Sequence, residues 1–363
     1  MKLREFDYDL PRELIAQYPL KKRDQARLLV IDRASKEIYH DKFFNILKYL
    51  PKKSLMILND SKVVPARLMG RRASGGSVEI FLLKRLSDGY SYKSLIKPLK
   101  RLKLNEKILF NGGKITAQLK DPLQKIVRFN TKNQSRLFKL GQIPLPPYVK
   151  RQPEAIDKTH YQTVYAKHKG SVASPTAGLH FTKRSLSKIK NSGIKINKVT
   201  LHVNYATFNP VKEENIAKHK MHSEEFEVAA KTVKDIQKAK SSGRIIIAVG
   251  TTSFRVVETI VRGSGIADFG LEVRSHGKKS DNLESRVCDP PQKSIKGTTD
   301  LFVYPGYKPK LVDVLITNFH LPRTTLFMLV CAFAGTDLIK RAYQEAIEKK
   351  YRFYSYGDAM LIL

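Results

Sequence analysis

The chain has 363 residues, with 67 Lys and Arg against 33 Asp and Glu, for a formal charge of +34. At roughly 150 residues per domain this length predicts two or three domains, and a 42% hydrophobic content excludes wholesale disorder. Two cysteines, Cys288 and Cys331, exclude a disulfide scaffold or a Cys-rich zinc site and fit a reducing compartment. The first seven residues lack the apolar stretch of a signal peptide. The most apolar run, residues 326–334, is far shorter than the roughly 20 residues that cross a bilayer. The expectation is a soluble, cytoplasmic protein with no membrane partner and an anionic one, a Lys-rich proteome being the competing source of the surplus charge.

The first 68 residues alternate strand and helix patterns. Residues 27–32 and 55–58 read as strands, and 43–50 as a short amphipathic helix stopped by Pro51. From 69 to about 150 the pattern changes to short β-runs at 77–83, 107–110, 115–119 and 125–129. Gly75-Gly76, Asp88-Gly89 and Asn111-Gly112-Gly113 punctuate them, which predicts a small all-β unit. The stiff run Ile143-Pro144-Leu145-Pro146-Pro147-Tyr148 marks its exit. Beyond it, 243–250 is a fully apolar strand pattern, as in a sheet covered on both faces. Residues 251–260 read as a hydroxyl-capped helix, 311–316 as a strand, 324–334 and 338–349 as helices, and 359–363 as a last strand. These elements predict a discontinuous α/β domain (1–68 and 152–363) that carries an inserted β domain (69–151).

No acidic residue occurs between Asp157 and Glu213, a span that holds ten Lys and Arg together with His160, His168, His180 and His202. Folded along one surface, it would give a positive field that suits phosphates and keeps imidazoles neutral; a plain solvated basic face is the alternative. Within it, Ser174-Pro175-Thr176-Ala177-Gly178-Leu179-His180-Phe181-Thr182 reads as a backbone-rich turn entering a helix over 181–190. Residues 200–208 read as a strand with His202, Asn204 and Ala206 on one face. His219 and His222 would share a helix face, but no Cys lies near and the spacing is not His-Glu-x-x-His, so a His222–Glu224 proton-transfer pair is favoured over a metal site. Gly250-Thr251-Thr252-Ser253-Phe254-Arg255 places amides and hydroxyls at a helix start, an anion site that is neither a GxGxxG fingerprint nor a P-loop. Asn59-Asp60 and Asn318-Phe319-His320 end apolar strands at the edge where open α/β sheets bind ligands.

These segments together resemble the S-adenosylmethionine:tRNA ribosyltransferase-isomerase family of queuosine biosynthesis. The matching runs are 6–11, 58–68, 144–148, 161–165, 175–182, 219–224, 248–253, 317–322 and 354–361, in family order from end to end. The chain departs from the family pattern at Ser61-Lys62, usually Thr-Arg, at Ser174, usually Ala, and at Asn204 and Ala206, where the family has glycines. The resemblance implies an α/β sandwich domain with an inserted small β-barrel. It implies transfer and rearrangement of the ribosyl group of S-adenosylmethionine onto the aminomethyl group of 7-aminomethyl-7-deazaguanine at the tRNA wobble position. The product is epoxyqueuosine, with adenine and methionine released.

S-adenosylmethionine is then a co-substrate, with no permanently bound cofactor and no metal, and the protein acts on a tRNA anticodon loop, expected as a monomer. The expected catalytic residues are His180 and His202 as bases, His222 with Glu224 as an acid–base pair, and Asp60. Thr176, Gly178, Thr207, Asn318 and His320 are expected to line the cleft, and Gly250, Thr251, Thr252 and Arg255 to hold the methionine carboxylate or a phosphate. Lys97, Lys100, Arg101 and Lys103, with Lys183, Arg184, Lys188 and Lys190, are the expected tRNA-backbone contacts. The rival readings are a non-catalytic RNA-binding protein and a methyltransferase using the same co-substrate.

Overall fold

The computed structural model describes residues 1–205, 211, 213–263 and 294–363. It divides into two compact units: residues 1–61, 162–168 and 174–363 form the first, and 62–161 with 169–173 the second. The chain enters the second unit earlier than 69 and leaves it later than 151. Arg67–Arg72 already pairs antiparallel with the next strand, and Arg151 holds Asp157 through two guanidinium contacts of 2.7 and 2.8 Å.

In chain order the strands are β1 (Arg27–Ile31), β2 (Ile38–Lys42) and β3 (Leu55–Asn59), then the short β4 (Ser61–Val63). The second unit contains β5 (Arg67–Arg72), β6 (Ser77–Arg85), β7 (Ser91–Lys97), β8 (Lys107–Phe110), β9 (Ile115–Asp121), β10 (Ile126–Phe129), the helix α1 (Gln134–Leu140) and β11 (Gly141–Gln142). Helix α2 (Asp157–His160) and β12 (His168–Ser171) follow. The first unit resumes with α3 (Lys183–Asn191), β13 (Lys195–Leu201), β14 (Glu224–Val228), α4 (Ala230–Ser241), β15 (Ile246–Val249) and α5 (Gly250–Gly263). It ends with β16 (Ile295–Thr299), β17 (Val314–Asn318), α6 (Thr325–Ala334), α7 (Thr336–Glu348) and β18 (Ala359–Ile362).

The second unit is a closed barrel. Its strands run β5-β6-β7-β10-β9-β8, and β8 pairs back onto β5, with β11 added outside β5. Closure removes the exposed edges that short antiparallel strands would otherwise present. Two glycines make the tight spots possible. At Gly70 a Cβ would fall 2.7 Å from the Phe110 ring, and at Gly141 it would fall 1.8 Å from the Pro65 carbonyl oxygen.

The first unit is built on a nine-stranded sheet, β16-β14-β13-β3-β15-β17-β18-β1-β2. Strands β13, β3, β15 and β17 are mutually parallel, β18 is antiparallel to β17, and β1 is parallel to β18. The central strands β3, β15, β17 and β18 are buried at every position, which their apolar runs, ended in β3 and β17 by polar residues, anticipate for a sheet covered on both faces. Phe43, Ile46, Phe181 and Ile189 close over Leu28, Met56, Leu58, Ile247, Ile316 and Leu361. Each large apolar side chain buried in this cluster contributes about 1.5–3 kcal/mol. The short amphipathic helix expected over 43–50 is a 3-10 helix over Phe43–Lys48, with Phe43 and Ile46 on its buried face. Among the described residues no helix is long and apolar enough to cross a membrane.

Candidate functional site

The sheet direction decides which loops meet. The C-terminal ends of β13, β3, β15 and β17 and the N-terminal ends of β14, β18 and β1 all lie on one edge. Strand β3 is flanked on one side by β13 and on the other by β15, the strand-order reversal at which open α/β sheets bind ligands. Two groups of polar side chains collect on this edge.

The first lies around Asn318, the last residue of β17. Pro175 leads into a 3-10 turn, Thr176–His180, that packs against the start of α5 and the end of β17. His180 is 4% exposed, and its Nε2 lies 3.1 Å from Asn318 Nδ2. The same Nδ2 donates to the Tyr354 carbonyl at 3.1 Å, while Asn318 Oδ1 is buried with no partner among the described residues. Burial, then the charges of Arg352 and Arg23, push the His180 pKa down to about 3. Arg23 is anchored to the Gln162 carbonyl at 2.6 Å, and the Arg352 amide to Asp358 Oδ2 at 2.8 Å. Asp358 also takes the Arg27 backbone amide at 2.8 Å, so a buried carboxylate ties the start of β1 to the start of β18.

His320 belongs to the packing beneath this group. Its Nε2 meets Thr317 Oγ1 at 2.9 Å, its amide donates to the Tyr343 hydroxyl, and its carbonyl accepts from the Tyr8 hydroxyl. Tyr8, Phe319, Phe327, Tyr343 and Phe353 pack ring on ring around it, at centroid distances such as 5.0 and 4.9 Å. Burial lowers the His320 pKa to about 3. Its ring and both backbone groups are thus all engaged within the fold.

The second group lies at the ends of β3 and β13. Asn59 clamps the two strands: its Oδ1 accepts from the Leu201 and Ser61 amides, and its Nδ2 donates to the Leu201 carbonyl, each at 3.1 Å. This clamp aims Asp60, whose Oδ1 accepts from Thr200 Oγ1 at 2.7 Å and whose Oδ2 lies 3.8 Å from His168 Nε2. His202 follows β13 directly; its amide donates to the Glu225 carbonyl at 3.0 Å, and its Nδ1 is buried without a partner among the described residues. Burial lowers the His202 pKa, the His168 charge adds to that, and Glu225, Asp60 and Glu227 oppose it. Tyr165 joins the two groups. Burial and Asp60 raise its pKa, and a Cβ on Gly178 would fall 2.0 Å from its hydroxyl. The close approach of Tyr165 and Thr163 therefore requires glycine at 178.

Between the two groups stands the start of α5. Gly250 takes φ +87°, and a Cβ there would meet Thr252 Oγ1 at 3.5 Å and Ala177 at 3.6 Å. Thr252 Oγ1 and Ser253 Oγ are buried without hydrogen-bond partners among the described residues, and the helix N-terminus carries partial positive charge. Thr251 and Thr252 lie buried at this helix start, whereas Arg255 is turned away from it into an ion pair. Its guanidinium is buried, pairs with Glu224 and donates to the Leu301 and Thr299 carbonyls at 3.0 and 3.2 Å. Glu224 is in turn closed by the Asn204 amide at 2.9 Å.

That commitment also undoes the expected His222–Glu224 pair. No helix forms over 219–224, His222 is exposed, and Glu224 faces inward to Arg255. The expected strand over 200–208 ends at Leu201, and Ala206 and Thr207 lie outside the described residues. Thr176 is half-buried at the start of its turn. Lys183, Arg184, Lys188 and Lys190 are exposed on α3, whose start is capped by Thr182. Lys97, Lys100, Arg101 and Lys103 are exposed on the barrel unit. Among the described residues no group of three or more His, Cys, Asp or Glu side chains is placed to hold a metal ion.

Three contributors were not singled out by sequence reasoning. His168 sits in the acid-free span without a motif of its own, and Asp358 and Arg352 sit in an ordinary-looking turn before β18. The matched run 354–361 pointed toward Asp358, and no matched run covered Arg352.

Comparison with known proteins agrees over the whole chain. The sequence model of the family described as "Queuosine biosynthesis protein" matches residues 3–362. An S-adenosylmethionine:tRNA ribosyltransferase-isomerase of Caldanaerobacter subterraneus subsp. tengcongensis is 48% identical over 369 residues, covering all of both chains. A protein of the same description from Halothermothrix orenii is 47% identical, again covering all of both. The crystal structure of a Thermotoga maritima S-adenosylmethionine tRNA ribosyltransferase aligns with a TM-score of 0.53 at 36% identity, covering 99% of this chain and 100% of that one.

Proposed function

The chain belongs to the queuosine biosynthesis protein family, and from that membership we propose that it is an S-adenosylmethionine:tRNA ribosyltransferase-isomerase acting as a monomer in the cytoplasm. It transfers the ribosyl group of S-adenosylmethionine to the aminomethyl group of 7-aminomethyl-7-deazaguanine at the tRNA wobble position. A C–N bond forms to the amine, the glycosidic bond to adenine and the C–S bond to methionine break, and the ribose is rearranged to the epoxy-cyclopentanediol of epoxyqueuosine. The observation that carries this reading is the end-to-end match to proteins of that description.

The residues divide the work by environment. The sulfonium acidifies the ribose carbon beside it, and a neutral imidazole is needed to take that proton. His202 suits this role, being half-buried with a lowered pKa, and Asp60 and Glu225 stand close enough to stabilise it once protonated. His168, beside Asp60, is placed to return a proton to a leaving group. The start of α5, with Thr251 and Thr252, supplies amides and hydroxyls for the methionine carboxylate. The eight exposed Lys and Arg of α3 and the barrel unit draw in phosphates without reading bases. The base must then be recognised by the cleft after it is splayed out of the anticodon loop.

The test is incubation of the protein with labelled S-adenosylmethionine and tRNA bearing the aminomethyl precursor. Free adenine and methionine are the expected products; S-adenosylhomocysteine would instead establish a methyltransferase. In the same system, tRNA affinity is expected to fall steeply with salt while S-adenosylmethionine affinity changes little. A flat salt response would remove the electrostatic role of the basic residues.

A further inference from the structure

Three contacts determine the state of His180. Asn318 Nδ2 faces the Tyr354 carbonyl oxygen at 3.1 Å and the Asp358 carbonyl oxygen at 3.5 Å. Carbonyl oxygens only accept, so the amide group turned toward them is the NH2 and cannot be reversed. The same nitrogen lies 3.1 Å from His180 Nε2. An amide nitrogen donates and does not accept, so Nε2 is the acceptor, and the neutral ring carries its proton on Nδ1.

The other end of the amide follows from this. With Nδ2 committed, Oδ1 is held as a buried carbonyl oxygen with no partner among the described residues, in a side chain that is 2% exposed. Folded proteins retain few such atoms, and one on a ligand-binding sheet edge calls for an N–H or O–H from the ligand. The charges of Arg23 and Arg352, which already oppose protonation of His180, oppose a cationic donor at the same place. The donor is therefore neutral. S-adenosylmethionine offers two kinds: the exocyclic amine of adenine and the ribose hydroxyls.

We propose that Asn318 recognises a neutral hydrogen-bond donor of the adenosyl group through Oδ1 and, through Nδ2, fixes His180 as the Nδ1-protonated imidazole. His180 is then a hydrogen-bond donor to the substrate, and Nε2 is not the base of the reaction. The recognition half rests on the function proposed above; the tautomer half rests on the contacts alone.

Two measurements test it. In the ligand-free wild type with 15N-labelled histidine, one neutral imidazole with Nδ1 protonated and Nε2 unprotonated is expected between pH 5 and 8, absent from His180→Gln. In Asn318→Asp a carboxylate replaces the donor and the proton is expected to move to Nε2. A wild-type resonance with Nε2 protonated would overturn the tautomer. Calorimetry then compares S-adenosylmethionine with its 6-desamino, 2′-deoxy and 3′-deoxy analogues. The wild type is expected to lose about 10- to 100-fold in affinity for the one analogue that lacks the paired donor. Asn318→Ala is expected to bind that analogue and the parent alike. Equal wild-type affinity for all four ligands, or an undiminished preference in a folded Asn318→Ala, overturns the recognition role. No binding of S-adenosylmethionine to the wild type would overturn the function and the recognition role together, while the spectrum still decides the tautomer.

Discussion

The two polar groups on the sheet edge use the same residue type in opposite ways. Around Asn318, His180 and His320 are buried, their pKa values are driven down to about 3, and their rings are tied to an amide and a hydroxyl. Around Asp60, His202 is half-buried and His168 exposed, with carboxylates within reach and one imidazole nitrogen unclaimed by the described residues. A histidine that cannot gain a proton serves to donate or to support. A histidine that is only partly buried and has a carboxylate nearby can accept a proton and hold it.

The difference is open to direct attack. The largest effect is expected from His202→Gln: single-turnover kinetics should show the rate falling by about 10²- to 10⁴-fold, with S-adenosylmethionine binding largely kept. Turnover near that of the wild type would end the assignment of proton abstraction to the Asp60 side. Next is the buried ion pair behind the cleft. Glu224→Gln leaves the Arg255 charge buried and unpaired, and urea unfolding should show a loss of about 3–5 kcal/mol. An unchanged midpoint would return Arg255 to the pool of ligand-binding groups.

The third effect is read against pH. His180 and His320 have folded pKa values of about 3 against an ordinary 6.5, so the unfolded chain binds more protons between those limits. Their contribution is fully present above pH 6.5 and is lost as pH falls toward 3, at roughly 1 kcal/mol per pH unit for each histidine. Urea titrations at pH 7 and pH 5 should show that slope, and His180→Gln should remove about half of it. A slope that survives both His180→Gln and His320→Gln would place the acid sensitivity elsewhere. The smallest effect belongs to His222→Gln, where an exposed side chain should leave turnover within about twofold. A larger loss would bring His222 back into the chemistry.

How much of this was legible in the sequence depended on the range of the interaction involved. The apolar runs that became β3, β15, β17 and β18 stood out because strands covered on both faces admit no polar alternation. The turn 174–182 and its Thr182 cap were also readable, because capping is local chemistry. The role of Arg255 was not. As a cation one turn into a helix after a glycine it looks like an anion grip, until β14 and β16 bring Glu224 and two carbonyls onto it. His222 failed for the related reason that its helix does not form. The acid-free span pointed to histidines working without carboxylates, but the fold supplies Asp60 and Glu225 from outside it.

Period, composition and local turn chemistry were enough to predict a two-part organisation, the apolar strands of the main sheet and the set of polar residues at strand ends, while the family resemblance came from the matched residue runs. Neighbours along the chain decide all of these. Which of those polar residues are open and which are spent came from the folded packing alone. Burial and partners come from segments far apart in sequence: Asn318 with His180 and Tyr354, Asp60 with Thr200 and His168, Arg255 with Glu224. A side chain's protonation and its freedom to meet a ligand are set by those distant contacts, which is why the +34 charge foretold an anionic partner but not where the proton chemistry sits.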